Sequence, residues 1–458
     1  MARDGTVIDV PRLIAGHKFG LYQFWIIVIC GIAMFSSGFN VLALGYLAPA
    51  VSADLNLPAG GLTPVFFVIG VATVLSGFIW GPIADRIGRK NTIIIAQLCA
   101  VPFVYMISRA TDVTQIAIYD FFASFCFYGV VPNAMSLAGE FMPRHLKVTL
   151  TVLVWTGFSL GTIAGSPFAA FLVEEYGWRS VFVANAVIPL ALALIVILFM
   201  QESLNQLLRW NASDMNARIA RALRLLFPRD AIPENATFIT TEQKRKGFPV
   251  HLLFTEGRAK FTLLVWVVGF ANFITLSFMN SWLTTTLHNA GLVVETAILV
   301  AVAVHIGGII GGIVASDLFD RTGRARFYVL GALYIFACLF TASIGVAGNS
   351  VLWTTVAVFV AGFFVYGLQN TYQAIISVVY PTEMRSTGTS WGIGVMQSAS
   401  LFGPVLGGIL LSLHWSSSDL FYVISLPPVL SAFAALLIGI GHSAPETEFE
   451  EEHVPSKP

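Results

Sequence analysis

Gly81-Pro82-Ile83-Ala84-Asp85-Arg86-Ile87-Gly88-Arg89-Lys90 is a dense charged turn set between two long apolar runs. Four charges within six residues are too costly to hold in hydrocarbon, so this stretch must lie where one membrane span ends and the next begins. A degenerate echo, Ser316-Asp317-Leu318-Phe319-Asp320-Arg321-Thr322-Gly323-Arg324, follows in the second half of the chain. Further matches fall at an offset of about 235 to 238 residues: Tyr128-Gly129 returns as Tyr366-Gly367, Pro143 with Lys147 as Pro381 with Arg385, and Trp178 as Trp415. Matches in one register across many spans indicate two halves built to one plan.

The composition fits a chain dissolved in lipid. Of 458 residues, 56% are hydrophobic and only 11% charged, with a mean hydropathy of +0.79. Soluble domains carry about 25% charged residues, so a water-soluble enzyme is excluded. Lys and Arg, 25 in all, balance 25 Asp and Glu, which leaves no net field to attract nucleic acid. Cys30, Cys99, Cys126 and Cys338 lie inside apolar runs without CxxC spacing, so neither disulfides nor a zinc site are expected. No Walker sequence, G-x-S-x-G or H-E-x-x-H occurs, so we expect no ATP, cofactor or metal and no hydrolytic chemistry.

Twelve apolar runs reach spanning length, with approximate limits 24–48, 62–84, 92–108, 113–138, 148–172, 180–200, 260–287, 292–316, 327–346, 351–379, 387–412 and 420–441. Each is predicted to be a helix, which satisfies its own backbone where lipid offers no partner. The first run, Phe24 to Val51, is too long for the core of a signal peptide and should remain as span 1. With both termini inside, all 25 Lys and Arg except Arg109 and Arg179 fall on the cytoplasmic side, which fixes the expected orientation in a plasma or inner membrane. That topology puts the sequons at Asn211 and Asn235 in the cytoplasm, where they are chance matches.

The expected organisation is a cytoplasmic segment 1–23, a six-helix bundle 24–200, a cytoplasmic linker 201–259, a second six-helix bundle 260–441 and an acidic, disordered tail 442–458. In the linker, Arg218, Arg221 and Arg224 alternate with Ile219, Leu223 and Leu226 at helical spacing. That spacing suits either a helix lying on the membrane surface or a solvated linker helix.

Read as a whole, this is an all-α integral membrane protein of twelve transmembrane helices in two pseudo-symmetric six-helix bundles, able to rock about a central site. The G-x-x-x-D-R-x-G-R-K spacing of Gly81–Lys90 resembles the loop between spans 2 and 3 of the major facilitator superfamily, and the resemblance covers nearly the whole chain. A narrower resemblance is to the aromatic acid and proton symporter branch. It rests on Val131-Pro132-Asn133-Ala134, Glu140-Phe-Met-Pro143-Arg-His-Leu-Lys147, Gly157-Phe-Ser-Leu-Gly161, Tyr176-Gly177-Trp178-Arg179-Ser-Val-Phe182, Glu202-Ser203 and Tyr380-Pro381-Thr-Glu383-Met-Arg385-Ser-Thr-Gly388. The resemblance implies proton-driven uptake of benzoate-like or hydroxybenzoate-like acids. It also implies that Asp85 holds the outward-facing state closed on the cytoplasmic side, beside span 11. Arg86, Arg89, Lys90 and Arg385 complete this conformational latch, the basic side chains also anchoring to anionic lipid.

Two departures from that branch shift the expected chemistry. Its members usually carry D-G-x-D in span 1, where this chain reads Ser37-Gly38-Phe39-Asn40, and an arginine in span 4 where this chain has Asp120. Proton coupling is therefore expected at Asp120 or His305, the ionisable groups deepest in the predicted spans, with Glu140 next. For the substrate, Tyr366, Asn370, Gln373 and Ser377 share a narrow arc of span 10 at about 100° per residue, with Phe359 and Phe363 extending it and Gln369 at its margin. Ser36 and Asn40, Tyr128, Asn272 and Asn280, and Trp391 with Ser398 are candidates to complete the pocket. Amides suit a carboxylate and rings suit an aromatic plane; the same amides can instead join helix to helix. The glycines Gly157, Gly161, Gly165, Gly403, Gly407 and Gly408 are expected to allow close helix contact.

The function expected is import of a small aromatic carboxylic acid by proton symport, in a monomer whose partners are substrate, protons and membrane lipid. One alternative is a drug or organic-anion exporter, because Gly403-Pro404-Val-Leu-Gly407-Gly408 resembles the exporters' antiport motif; that motif belongs in span 5, where Gly161-Thr-Ile-Ala-Gly165-Ser-Pro167 fits it poorly. The other is a non-transporting receptor on the same scaffold, which the lack of a substantial signalling domain disfavours.

Overall fold

A computed structural model describes residues 7–10, 13–14, 19–143, 147–210, 215–227, 237–239, 250–255, 257–347, 350–380 and 385–441. The acidic tail, the sequon residues Asn211 and Asn235, the Pro381-Thr-Glu383 stretch and the side chains of Arg218, Arg221, Ser377 and Arg385 lie outside the described residues. Among the described residues twelve helical segments are long and apolar enough to span a bilayer. Spans 1 to 6 run Leu21–Asp54, Thr63–Ile87, Arg89–Ile107, Val113–Glu140, Lys147–Tyr176 and Trp178–Phe199. Spans 7 to 10 run Ala259–Asn289, Val294–Arg321, Arg326–Ile344 and Val351–Val378. Span 11 is Arg385–Ser398 continued by Phe402–Ser412, and span 12 is Ser417–Ile424 continued by Pro427–Gly441.

Spans 1, 11 and 12, expected as single helices, are each broken inside the membrane. Span 1 divides at Leu42 into Leu21–Val41 and Ala43–Asp54. A broken turn frees carbonyls, and in hydrocarbon each needs another donor. Thr162 Oγ1 of span 5 donates to the Gly38 carbonyl (3.2 Å) and Tyr46 Oη to that of Phe39 (3.3 Å), while Asn40 Nδ2 bonds back to the Ser36 carbonyl within the helix (3.0 Å). In span 12 the cause is Pro427-Pro428: Pro428 has no N–H for the Ile424 carbonyl, which accepts from Thr275 Oγ1 of span 7 instead (2.8 Å). In span 11 a short 3₁₀ turn, Ala399–Leu401, precedes Pro404. The prolines inside spans 2 to 6 leave their helices continuous.

The two halves repeat one pattern of helix pairing. Span 1 packs on span 5, span 2 on span 4 and span 3 on span 6; spans 7 and 11, 8 and 10, and 9 and 12 repeat these pairs. Glycines sit where backbones approach most closely. A Cβ at Gly161 would fall 2.1 Å from the Phe35 carbonyl, and one at Gly157 2.2 Å from that of Gly31. In the second half, a G-G-x-x-G-G series absent from the sequence expectations takes this role: Gly307, Gly308, Gly311 and Gly312 form the face of span 8 against span 10.

The strand Val7–Asp9, the start of span 1, the end of span 12 and the described part of the linker lie at one end of the bundles, here termed the linker face. Two short helices, Leu204–Trp210 and Met215–Leu226, a strand, Thr237–Ile239, and a 3₁₀ helix, Val250–Phe254, build the described part of the linker. The strand pairs in parallel with Val7–Asp9, an element the sequence patterning does not announce. Ile219, Leu223 and Leu226 are buried while Arg224 is exposed, so the apolar side of that helix is spent on protein, including span 1, and not on lipid.

The glycine contacts give the first testable outcome. Gly161→Val should lower stability by about 1 to 3 kcal/mol through backbone displacement, whereas Gly77→Ala, with nothing within 4 Å of its Cβ position, should leave it unchanged. Thermal unfolding of both variants in detergent checks this.

Candidate functional site

Near the middle of their lengths the breaks of spans 1 and 11 face each other across a cavity of about 90 Å³. Both bundles line it. Leu42 and Gly45 come from span 1, Thr73 from span 2 and Tyr128 from span 4, opposite Ser277, Asn280 and Ser281 of span 7 and Gln397 and Ser400 of span 11. Beside it lies a smaller cavity of about 10 Å³ lined by Tyr46, Ser166, Thr284 and His305; Leu42 and Asn280 border both. No Asp, Glu, Lys or Arg is among the lining residues of either. The chemistry on offer is therefore neutral: amides, hydroxyls, one imidazole and aromatic surface.

The far face closes this space. Phe66 of span 2 meets Trp282 of span 7 edge to face, with ring centroids 4.9 Å apart, and Trp282 Nε1 donates to the Pro404 carbonyl (2.8 Å). Around this pair the bundles approach through glycines: Gly45 against the Asn280 carbonyl, Gly60 against that of Gly408, and Gly408 against Thr63. A cavity of about 150 Å³ is the size that accepts one benzene ring. A ring with a carboxyl group therefore enters this smaller space only if the bundles move apart.

The candidates from the sequence separate into groups. Tyr128, Asn280, Tyr366 and His305 come together at the centre: Tyr366 Oη donates to Asn280 Oδ1 (2.5 Å), and its ring packs edge to face on His305 at 5.1 Å. Ser36 and Asn40 turn into their own bundle, Ser36 Oγ bonding Gln97 Oε1 (3.2 Å). Asn272 and Gln369 likewise join span 7 to span 10, Asn272 Nδ2 donating to Gln369 Oε1 and to the Val365 carbonyl (both 3.0 Å), while Gln369 Nε2 meets Met396 Sδ. The stripe on span 10 packs largely into the glycine face of span 8: Phe359 and Phe363 against Gly307 and Gly311, and Asn370 against Gly312. From that stripe Tyr366 reaches the centre through Asn280; Tyr366, Asn370 and Gln373 are not among the lining residues of the two cavities, and Trp391 is 47% exposed. Asp120 is buried and accepts from Ser124 Oγ (2.9 Å), two helical turns along span 4 from Tyr128.

Glu140 and the charged turn form a separate cluster at the linker face. Arg89 pairs with Glu140 and donates to the Ser136 carbonyl (3.2 Å), and Ser203 Oγ donates to both Glu140 oxygens (2.8 and 2.7 Å). Glu202 Oε1 accepts from the backbone N–H of Lys90 (3.1 Å) at the start of span 3, where a carboxylate complements the helix dipole. Gly88 makes room for it, since a Cβ there would lie 2.3 Å from Glu202 Oε2, and its φ of +94° favours glycine independently. Lys90 Nζ reaches the Ile197 carbonyl (3.1 Å), Asp85 and Arg86 are exposed, and the Asp85 carbonyl accepts from Gln206 Nε2 of the linker (3.0 Å). Arg385 is the first residue of span 11.

Thr73, Ser277, Ser281, Gln397 and Ser400 are lining residues that sequence reasoning missed. Only Gln397, a lone amide in an apolar run, carried a signal; isolated hydroxyls in spans are commonplace.

Two six-helix bundles closed over a shared neutral cavity define a membrane transporter, not an enzyme. The family model of the Major Facilitator Superfamily matches residues 30–404 and, in a second match, 265–458, and the chain belongs to that family. It is 28% identical over 447 residues to the 4-hydroxybenzoate transporter PcaK of Pseudomonas putida, covering 97% of this chain and 98% of the relative. It is 30% identical over 432 residues to the gallate transporter of Pseudomonas putida, covering 94% and 95%. Among solved structures, the D-xylose-proton symporter superposes with a TM-score of 0.68 at 14% identity, covering 91% of this chain and 97% of that one, a likeness of fold.

The ion pair at the linker face gives a prediction. Glu140→Gln removes the charge from the Arg89 contact and should cost about 1.5 to 3 kcal/mol. A double-mutant cycle with Arg89→Gln, read by thermal unfolding, should return most of that as coupling; additive effects would assign the loss elsewhere.

Proposed function

We propose that this chain imports a small aromatic carboxylic acid, benzoate-like or hydroxybenzoate-like, by proton symport through alternating access in a plasma or inner membrane, with both termini cytoplasmic. The observation that carries the reading is the central cavity: it belongs to both bundles and combines amide and hydroxyl donors with the rings of Phe66, Tyr128 and Phe273. The names of the relatives, transporters of 4-hydroxybenzoate and gallate, support the same substrate class. With the Lys- and Arg-rich linker face inside, the interlocked far face is the outer gate, and separation of Phe66 from Trp282 admits substrate from outside.

Within this reading Tyr128 and Asn280 contact the substrate, and Tyr366 holds Asn280 in place from behind. Asp120 and His305 are the coupling groups: the first is a carboxyl buried within the same bundle wall as Tyr128, and the second borders the smaller cavity beside Asn280. Asp85, Arg86, Arg89, Lys90 and Arg385 govern closure on the inner side, the basic members also meeting lipid headgroups. No nucleotide is needed, because the proton gradient supplies the energy.

The test is uptake of radiolabelled benzoate and 4-hydroxybenzoate into proteoliposomes with an imposed pH gradient. Wild type should accumulate label, and collapse of the gradient should abolish accumulation. Replacing the coupling residue, Asp120→Asn or His305→Gln, should preserve exchange between equal pools while eliminating accumulation, because exchange requires no deprotonation. Uptake indifferent to pH in wild type would overturn the symport reading.

A second outcome concerns Asp85. Asp85→Asn should slow transport while leaving ligand-induced thermal stabilisation intact, since a latch balances two states without touching ligand. Unchanged uptake by the inserted variant would remove it from the mechanism.

A further inference from the structure

Asn280 is the polar side chain common to the linings of the two central cavities. It borders both central cavities, its backbone carbonyl is the point against which Gly45 of span 1 packs, and its side-chain oxygen is already taken by Tyr366 Oη at 2.5 Å. A side-chain amide has an acceptor end and a donor end, and fixing one fixes the other. Tyr366 is itself fixed: its ring lies edge to face on His305, and its Cβ sits where Gly308 leaves no room for a side chain, a Cβ there falling 2.5 Å away. Among the described residues no protein acceptor takes Asn280 Nδ2, and it is not among the buried side-chain atoms that lack a partner. Its two N–H groups are therefore presented to the cavity.

We propose that Asn280, locked by Tyr366 with its donor end toward the cavity, is the specificity-determining residue that selects an anionic carboxylate over an uncharged carboxamide of the same shape. The inference rests on the reading of the protein as an aromatic acid transporter and adds the group that reads the acid. A carboxylate offers only acceptors, so both its oxygens suit N–H donors, and such charge-assisted bonds are the stronger kind. A carboxamide presents its own N–H groups on one side and matches the two N–H donors of Asn280 half as well. Tyr366 acts as a positioning residue: its hydroxyl need not touch the ligand, because it decides which end of the amide does. Among the described residues no Lys or Arg lines the cavity to do this by charge, and orientation of a neutral amide is a means that the lining does supply.

The experiment compares binding of benzoate and benzamide, two probes alike in ring and size, to purified full-length protein by calorimetry. Wild type should prefer benzoate. Asn280→Ala should weaken benzoate by roughly ten-fold to a hundred-fold, the worth of one hydrogen bond to a charged group, and benzamide by much less. Tyr366→Phe keeps the ring and its packing but frees the amide to turn, so the benzoate-to-benzamide ratio should fall toward one while benzamide affinity holds. The unliganded melting temperature of each variant identifies a folding defect, and Tyr366→Phe, with its minimal change of volume, carries the test if Asn280→Ala is unstable. A merely structural role for either residue would weaken both ligands equally, and an unchanged ratio in Tyr366→Phe overturns the proposal. Wild type that binds benzoate with the ratio preserved in both variants refutes this inference alone; wild type that binds neither benzoate nor 4-hydroxybenzoate refutes the functional reading beneath it.

Discussion

A peptide carbonyl surrounded by hydrocarbon has no water to turn to, and leaving it unmet costs about 1 to 3 kcal/mol. An unbroken helix meets that demand by itself, which is why twelve of them can be placed in a bilayer. A transporter also needs its helices to bend at the centre, and each bend exposes carbonyls where none can be left exposed. In this protein the donors come from side chains: Tyr46 from the next turn, Thr162 from span 5 and Thr275 from span 7. Much of the polar inventory of the spans is thereby committed to the backbone. What remains uncommitted at the centre is short, and Asn280 with its open donor end stands out for that reason.

The same constraint shapes how the bundles meet. Lipid tails are as apolar as leucine, so spans gain by close contact of backbones more than by burying apolar area, and glycine permits that contact. Gly157 and Gly161 bring span 5 onto span 1, and Gly307 and Gly311 bring span 8 onto span 10. Within a bundle these contacts run along whole helices and make each half stiff. Between bundles the glycine contacts gather in the far half, at Gly45, Gly60, Gly70 and Gly408. A pair of stiff bodies joined mainly along one end is the arrangement from which rocking about a central site follows.

The spans were legible because length and apolarity are properties of a window, and windows average over uncertain residues. The breaks were not, because proline is a poor guide here: Pro82, Pro102 and Pro132 sit inside continuous helices while Pro428 marks a break. What differs is the neighbour, a threonine placed to serve the freed carbonyl, and that is a fact of three dimensions. The site was legible in part. Asn280 and Tyr366 each read as a polar residue in an apolar run, yet their contact spans 86 positions and no periodicity announces it. The stripe on span 10 misled because arc alone does not say what the arc faces; the glycines of span 8 were the missing half, and they are visible in the sequence as Gly307-Gly308 and Gly311-Gly312. Asn272 and Gln369 read as recognition groups and join span 7 to span 10, and Asn40 bonds back to its own helix.

The small parallel pair of Val7–Asp9 with Thr237–Ile239 bears on the order in which the chain is made. Its two strands are 230 positions apart, and everything between them includes the first six spans. At roughly 5 to 20 residues per second, synthesis leaves the amino-terminal strand waiting on the order of tens of seconds for its partner, with the whole first bundle inserted before the pair can form. The pairing of Val7–Asp9 therefore waits until the first six spans and the linker strand have been made. A bulky fusion at the amino terminus would interfere with that pairing while leaving insertion of the first spans untouched.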